Sequence, residues 1–332
     1  MKRNSIIIDA MGGDNAPYAV VDGCYQALNE VKDIQLILVG QKDRIEEYIK
    51  EKGYNRKLIE IVHAGEVITN NESPVSAIKS KPDSSLVRCF NMLKGKEADA
   101  MISAGNSGAM LTGAMLLVGR IKGVKRPALG AVLPSPNGKT LLIDAGLNTN
   151  CRTENYVQFA KFGSIYMNAL YDIKEPSVKL LNIGSEEAKG NEDVKEAFQI
   201  LKNTDLNFLG NAEGSEILSG ADVVATNGFT GNAILKFYES CGDLFFRFLN
   251  NAFTKNIMTK ASYLMVKKDL KELKRSVDPD IHGGAPVLGI NELVIKSHGS
   301  SIHKTFKNVI IKADRLINKK IVSRIQNEFD ES

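Results

Sequence analysis

The sequence predicts an α/β fold, a mostly parallel sheet covered by helices, from two observations. Short apolar runs alternate with amphipathic helical stretches along the 332 residues. Six of those runs end in a small, glycine-rich polar turn. The six are Ile8-Asp9-Ala10-Met11-Gly12-Gly13-Asp14-Asn15, Ser103-Ala104-Gly105-Asn106-Ser107-Gly108, Ile143-Asp144-Ala145-Gly146-Leu147-Asn148, Asn182-Ile183-Gly184 through Lys189-Gly190-Asn191, Asn227-Gly228-Phe229-Thr230-Gly231-Asn232, and Ser297-His298-Gly299-Ser300-Ser301. In a parallel sheet such turns gather at the edge where the strands end, which is where open α/β sheets bind ligands. Backbone N–H groups in glycine turns and at helix starts favour an anion there.

The elements follow in order. Residues 6–9 are β-branched without alternation, the pattern of a buried strand. Pro17 opens a helix whose Val20, Val21, Cys24, Ala27 and Leu28 share one face. Strands are expected at 34–39, 59–64 and 100–104, with a helix at 84–93 and a small-residue helix at 106–118. Residues 129–133 and 140–145 bracket Pro134-Ser135-Pro136-Asn137-Gly138, a hairpin-like turn. A helix at 153–171, a strand at 178–183, a helix at 192–203 and a strand at 223–226 come next. The rhythm breaks at 234–277, two helical stretches in a row, and resumes with a strand at 293–295 and a terminal helix from about residue 301. This reads as one α/β domain over residues 1–332 with a helical excursion inside it, not two domains.

Hydrophobic content of 43% and charged content of 25% are ordinary for a globular protein, and a net charge of +4 is too small to argue for nucleic acid. The four cysteines, Cys24, Cys89, Cys151 and Cys241, form no CxxC pair, so neither a disulfide framework nor a zinc knuckle is expected, and a reducing cytoplasm fits. The apolar run after Lys2-Arg3 is too short for a signal peptide, and no stretch approaches the ~20 residues that span a bilayer.

The familiar phosphate motifs fail. No strand is followed by GxGxxG. Gly138-Lys139-Thr140 resembles the tail of a P-loop, but the earlier glycine is Leu133 and a strand follows. His298 and His303 are five apart and do not share a helix face, and no nucleophile elbow is present. With no nucleotide loop, metal motif or covalent nucleophile, phosphate itself is left as the attacking group, and the protein would supply positioning and charge.

These strings, with Arg126-Pro127-Ala128, Gly283-Gly284-Ala285-Pro286 and Lys296-Ser297-His298, run in order along nearly the whole chain and resemble the bacterial phosphate acyltransferases, the acyl-ACP:phosphate transacylases of phospholipid synthesis. The resemblance implies a three-layer α/β/α, Rossmann-like fold related to phosphotransacetylases. It implies transfer of a long acyl chain from acyl carrier protein to inorganic phosphate, with no organic cofactor and no metal. It also implies a homodimer at the cytoplasmic membrane surface, whose product goes to a membrane glycerol-3-phosphate acyltransferase. The chain departs from the pattern at Asn227, where the family has Asp, at Leu147, and at His282 before the glycine pair. An acid at 227 serving as a base would make this protein slow, whereas a helix cap is served equally by Asn.

Candidate roles follow. Ser103, Gly105, Asn106, Ser107 and Gly108 are the expected phosphate cradle, against a tight turn with no ligand. Lys189 is expected to neutralise phosphate, against a solvated lysine. His298 is expected to protonate the leaving thiolate or donate to phosphate, against a capping or core histidine. Asn232 and Asn148 are candidate donors, and Asp9, Asp14, Asn15 and Asn227 candidate positioning residues, all against turn or cap roles. Phe245, Phe248, Leu264 and Met265 beside Lys260, Lys267, Lys268, Lys271, Lys274 and Arg275 suit an anionic membrane, acyl carrier protein, a dimer partner or the acyl chain. Two competing functions remain: a short-chain phosphotransacylase using CoA, and a non-catalytic ligand-binding relative.

Overall fold

The computed structural model describes residues 3–136, 138–277 and 283–330. His282 therefore lies outside the described residues, as does Asn137 at the hairpin turn. Eleven strands form one sheet: β1 (Asn4–Asp9), β2 (Ile34–Gly40), β3 (Ile59–His63), β4 (Ala100–Ser103), β5 (Ala128–Ser135), β6 (Gly138–Ile143), β7 (Val178–Leu181), β8 (Phe208–Ala212), β9 (Val223–Ala225), β10 (Ala285–Leu288) and β11 (Leu293–Lys296). Their order is β3-β2-β1-β4-β11-β10-β5-β6-β9-β7-β8.

Side chains of successive strand residues go to opposite faces. Ile6, Ile8, Leu36 and Ile102 accordingly join one apolar cluster, and Ile7, Ile37 and Met101 the other. The first face is covered by α1 (Tyr18–Glu30), α6 (Thr153–Tyr171), α7 (Glu192–Lys202), α10 (His303–Asn318) and α11 (Ile321–Asp330), through Val20, Phe159, Val194, Phe306 and Ile325. The second face is covered by α3 (Pro74–Ser80), α4 (Ser85–Lys94) and α5 (Ser107–Gly113), through Ile78, Phe90 and Met110. Phe90 and Phe159 are fully buried, each worth roughly 1.5–3 kcal/mol by the area it removes from water.

The sheet is not parallel throughout, and this corrects the expectation of one turn-bearing edge. Strands β3, β2, β1, β4 and β11 are mutually parallel, as are β6, β9, β7 and β8. Between them β11–β10, β10–β5 and β5–β6 are three antiparallel pairings in succession, which reverse the strand direction. The six turns therefore fall into two groups. One follows β1, β4 and β11; the other follows β6, β9 and β7.

Helix α2 runs Lys42–Glu51; β2 and α4 lie close to their expected positions, and α6 falls on its expected bounds. Strands β8 and β10 and helix α3 were not expected. They are short and carry no apolar period long enough to read. The small-residue helix ends its α-helical course at Gly113 and continues as a π-helical turn over Ala114–Val118. The terminal helix is two helices, broken at Lys320 with φ 53°. The excursion is longer than its apolar pattern: α8 runs Gly228–Thr254 and α9 Ile257–Val277. Among the described residues no helix is long and apolar enough to cross a membrane.

Candidate active site

The first group of turns is tied around Asp9. This carboxyl is buried at the end of β1 and accepts the Ser103 hydroxyl at 2.7 Å and the Met11 N–H at 3.2 Å. Burial raises its pKa above the usual carboxylate range, and hydrogen bonds from Ser85, Ser103, Met11 and Gly12 oppose that. Ser103 Oγ in turn accepts from Gly105 N at 3.0 Å. Asp14 N donates to Gly299 O at 2.8 Å, and Asn15 Nδ2 to Ser300 O and Ser301 O at 3.2 Å each. The turns after β1 and β11 are thus laced to each other.

Asn106 closes the same turn as a helix cap. Its Oδ1 accepts from Ala109 N at 2.9 Å and its Nδ2 donates to Thr69 O at 3.0 Å. The side chains of Asp9, Ser103 and Asn106, and Gly105 N–H, are therefore engaged within the protein. What the cradle leaves open is the exposed Ser107 and the N–H groups of Ser107 and Gly108, which have no partner among the described residues, as expected in a first helical turn.

The second group is organised by Asp144, which is fully buried. Its Oδ1 accepts from Leu129 N (3.1 Å), Gly146 N (3.3 Å) and Leu147 N (2.9 Å); its Oδ2 accepts from Asn148 N (2.7 Å) and Asn148 Nδ2 (2.8 Å). Asn148 Nδ2 also donates to Pro127 O at 2.8 Å, and Asn148 O receives Gly228 N at 2.6 Å. Asn148 is buried and committed to these bonds, so a contact with substrate would have to break them. Asn227 caps α8: its Oδ1 accepts from Thr230 N at 2.9 Å, and its side chain also hydrogen-bonds Tyr156.

A cap of this kind contributes about 1 kcal/mol. Asn227→Ala should lower stability by about that amount in a thermal melt, while Asn227→Asp should keep the cap and change the rate no more than severalfold. A rate increase of orders of magnitude in Asn227→Asp would restore the base role for an acid at this position.

Helix α8 joins the two groups. Asn232, Lys236 and Glu239 are spaced four and three apart and share one flank. Asn232 lies against Gly146, where φ is +134° and an added Cβ would come 3.2 Å from the Asn232 Cβ. The Asn232 carboxamide is exposed and makes no hydrogen bond among the described residues. One turn on, Lys236 Nζ lies 3.0 Å from His298 Nε2 and 2.8 Å from Glu239 Oε2. His298 Nδ1 lies 2.7 Å from Ser300 Oγ. Among the described residues the side chain of Lys296, at the end of β11, makes no hydrogen bond or ion pair. Burial lowers its pKa below the ordinary lysine range, the Lys236 charge adds to this, and Glu239 opposes it. Ala145 and Leu147 from the second group pack in one apolar cluster with Ala109, Met110 and Leu235, so both groups border this junction.

Lys189 is not part of the junction. It is exposed on the turn after β7, its carbonyl accepting from Asn182 Nδ2 at 3.0 Å. That turn borders a cavity of about 920 Å³ on the opposite flank of α8, lined by Leu181, Ile217, Ile234, Phe237 and Tyr238 with Asn227 and Thr230. The structure therefore brings His298 and Asn232 to one side of α8 and leaves Lys189 on the other. Lys236, Lys296 and Glu239 were missed in the sequence. Their signal was the placement of Lys236 and Glu239 four and seven residues after Asn232 on one helix.

The family profile described as a fatty acid synthesis protein matches residues 4–324. A phosphate acyltransferase of Acetivibrio thermocellus is 50% identical over 325 residues, covering 98% of this chain and 96% of the relative. A phosphate acyltransferase of Clostridium novyi is 44% identical, covering 98% of each. Among solved structures, a phosphotransacetylase from Streptococcus pyogenes superposes with a TM-score of 0.63 at 16% identity, over 96% of this chain and 95% of that one. A branched-chain phosphotransacylase from Enterococcus faecalis gives 0.59 at 12% identity, over 95% and 99%. These two likenesses establish a shared α/β fold.

Proposed function

The chain belongs to the phosphate acyltransferase family and is an acyltransferase, and from that premise we propose that it moves a long acyl chain from acyl carrier protein to inorganic phosphate. An oxygen of hydrogenphosphate attacks the thioester carbonyl carbon, and the C–O bond forms as the C–S bond breaks. The phosphate proton ends on the departing thiol of the carrier, so the products are acyl phosphate and free carrier.

The observation that carries this reading is the junction at α8. Asn232, Lys236, Lys296 and His298 present donors and positive charge with Glu239 as the carboxylate partner, and the open N–H groups of Ser107 and Gly108 belong to the adjoining turn. Such preorganised donors hold a dianion beside a carbonyl and stabilise the oxyanion that forms. Asp9, Ser103, Asn106, Asp14, Asn15, Asn148 and Asn227 act behind them as the scaffold that fixes the turns. The turn that carries Lys189 borders the apolar cavity, where a fatty chain would enter. We read the whole chain as one catalytic unit.

The α8–α9 pair supports the proposed surface partners. Met265 and Ile257 are each 86% exposed and Phe237 is 72% exposed. Exposed Lys260, Lys267, Lys268 and Lys271 lie on α9 with Ile257 and Met265. Exposed apolar residues interspersed with lysine suit an anionic membrane carrying the glycerol-3-phosphate acyltransferase, and the lysines suit the acidic carrier. A second copy of the chain covering the same ridge would make the homodimer.

The test is direct. Purified protein is incubated with long-chain acyl-ACP and phosphate, and acyl phosphate is trapped with hydroxylamine. Phosphate-dependent hydroxamate is expected. Its absence removes the reading, and product from acetyl-CoA alone transfers it to a short-chain phosphotransacylase.

A further inference from the structure

We infer that Lys236 is the phosphate-contacting cation of this junction, held in place by His298 and Glu239, with Lys296 supplying the second positive charge. This rests on the phosphate acyltransferase reading above and assigns within it a residue that the glycine turns do not contain.

An ammonium group has three donors and no acceptor. Lys236 Nζ lies 3.0 Å from His298 Nε2. On the far side of the ring, His298 Nδ1 accepts from Ser300 N at 3.2 Å and lies 2.7 Å from Ser300 Oγ. Ser300 thus fixes the imidazole against an ammonium that has other N–H bonds to direct, so His298 is a positioning residue here. Glu239, one turn along the same helix, takes a second N–H at 2.8 Å. Among the described residues the Lys236 ammonium has no further hydrogen-bond partner.

The charge balance points the same way. Lys236 and Lys296 are close enough for one ammonium to disfavour the other, and Glu239 is the carboxylate that acts on both. Two cations against one anion leave an excess that a dianionic phosphate would neutralise. Asn232, one turn before Lys236, adds an unengaged amide beside Gly146.

Phosphate binding is measured by calorimetry without acyl donor, and initial rates are measured against phosphate and against palmitoyl-ACP. Lys236→Met should weaken phosphate binding and raise the phosphate KM about ten- to a hundredfold, the range for losing a charge-assisted hydrogen bond, with less than about twofold change for palmitoyl-ACP. Lys236→Arg should recover most of the loss, and Lys296→Met should move phosphate in the same direction by less. Because position 236 is half exposed, folding is expected to survive, and Lys236→Gln with a thermal melt controls for it. Phosphate affinity unchanged in Lys236→Met and Lys236→Gln overturns the assignment, as does a loss confined to the palmitoyl-ACP KM. If the wild-type protein makes no acyl phosphate yet loses phosphate affinity in Lys236→Met, the cation assignment stands and the acyl-donor reading falls.

Discussion

Asp144→Ala should unfold at a markedly lower urea concentration than the parent protein, with a loss of about 3–5 kcal/mol, the range for removing one side of a buried charged interaction. The carboxylate is fully buried and receives five N–H bonds, four from backbone and one from Asn148. Truncation leaves those donors facing a void. Burial holds the Asp144 pKa above the usual carboxylate range although the hydrogen bonds from Leu129, Leu147 and Asn148 pull it down. The ionised group is thus costly in itself, and the expected loss comes from orphaning its partners, not from a favourable net charge. Asp144→Asn should not rescue. Whichever way the amide is turned, its NH₂ faces N–H donors, three around one oxygen position or two around the other. A midpoint within 1 kcal/mol of the parent for Asp144→Ala would show that water or backbone movement satisfies the turn. The functional effect should follow, because the 144–148 turn is the seat of α8 and hence of Asn232 and Lys236.

Much of the framework was legible in the chain because buried strands and amphipathic helices carry strong periodic signals. The β-branched runs at 6–9 and 34–39 and the helix at 153–171 lie where the pattern puts them. The hairpin through 134–138 was legible too. Its consequence was not, since it depends on pairing with β10, four residues long and adjacent to no other strand in sequence until β11. Without β10 the pattern reads as a mostly parallel sheet whose turns form one set. The site was legible as glycine turns because glycine marks a backbone conformation that sequence displays directly. The side chains at the junction were harder to read. Asp144, Asn148 and Asn106 have the same residue types whether they touch substrate or tie a turn, and only their hydrogen bonds separate the two. Nothing in the sequence sets Lys236 apart from the other lysines of the excursion, and its meeting with His298 is a contact across 62 residues.

Gly231→Ala is expected to reduce kcat/KM by about a hundredfold while the protein remains folded. The first turn of α8 is laid directly on the backbone of the 144–148 turn. A Cβ at Gly231 would stand 2.0 Å from Asp144 O and 3.0 Å from Thr226 Cγ2, and one at Gly228 2.6 Å from Asn148 N. Real Cβ atoms do not approach backbone oxygen so closely, and the Asp144 and Asn148 atoms met are backbone, not the end of a flexible side chain. Helix α8 must therefore lift away, by on the order of 1 Å, a misplacement of the size that costs ~10²-fold when reacting groups are held by it. The stability change should be smaller in proportion, about 1–3 kcal/mol, as for other overpacked sites. The two readouts separate the cause. If α8 sets the distance between the two turn groups, Gly231→Ala raises the phosphate KM along with lowering kcat, because Asn232 and Lys236 move with the helix while His298 stays with β11. Ala at 231 with kcat/KM within twofold of the parent would mean that the seat of α8 does not govern the junction. The contrast with Asp144→Ala is physical: that substitution removes what holds the seat together, whereas Gly231→Ala leaves the seat whole and displaces what rests on it.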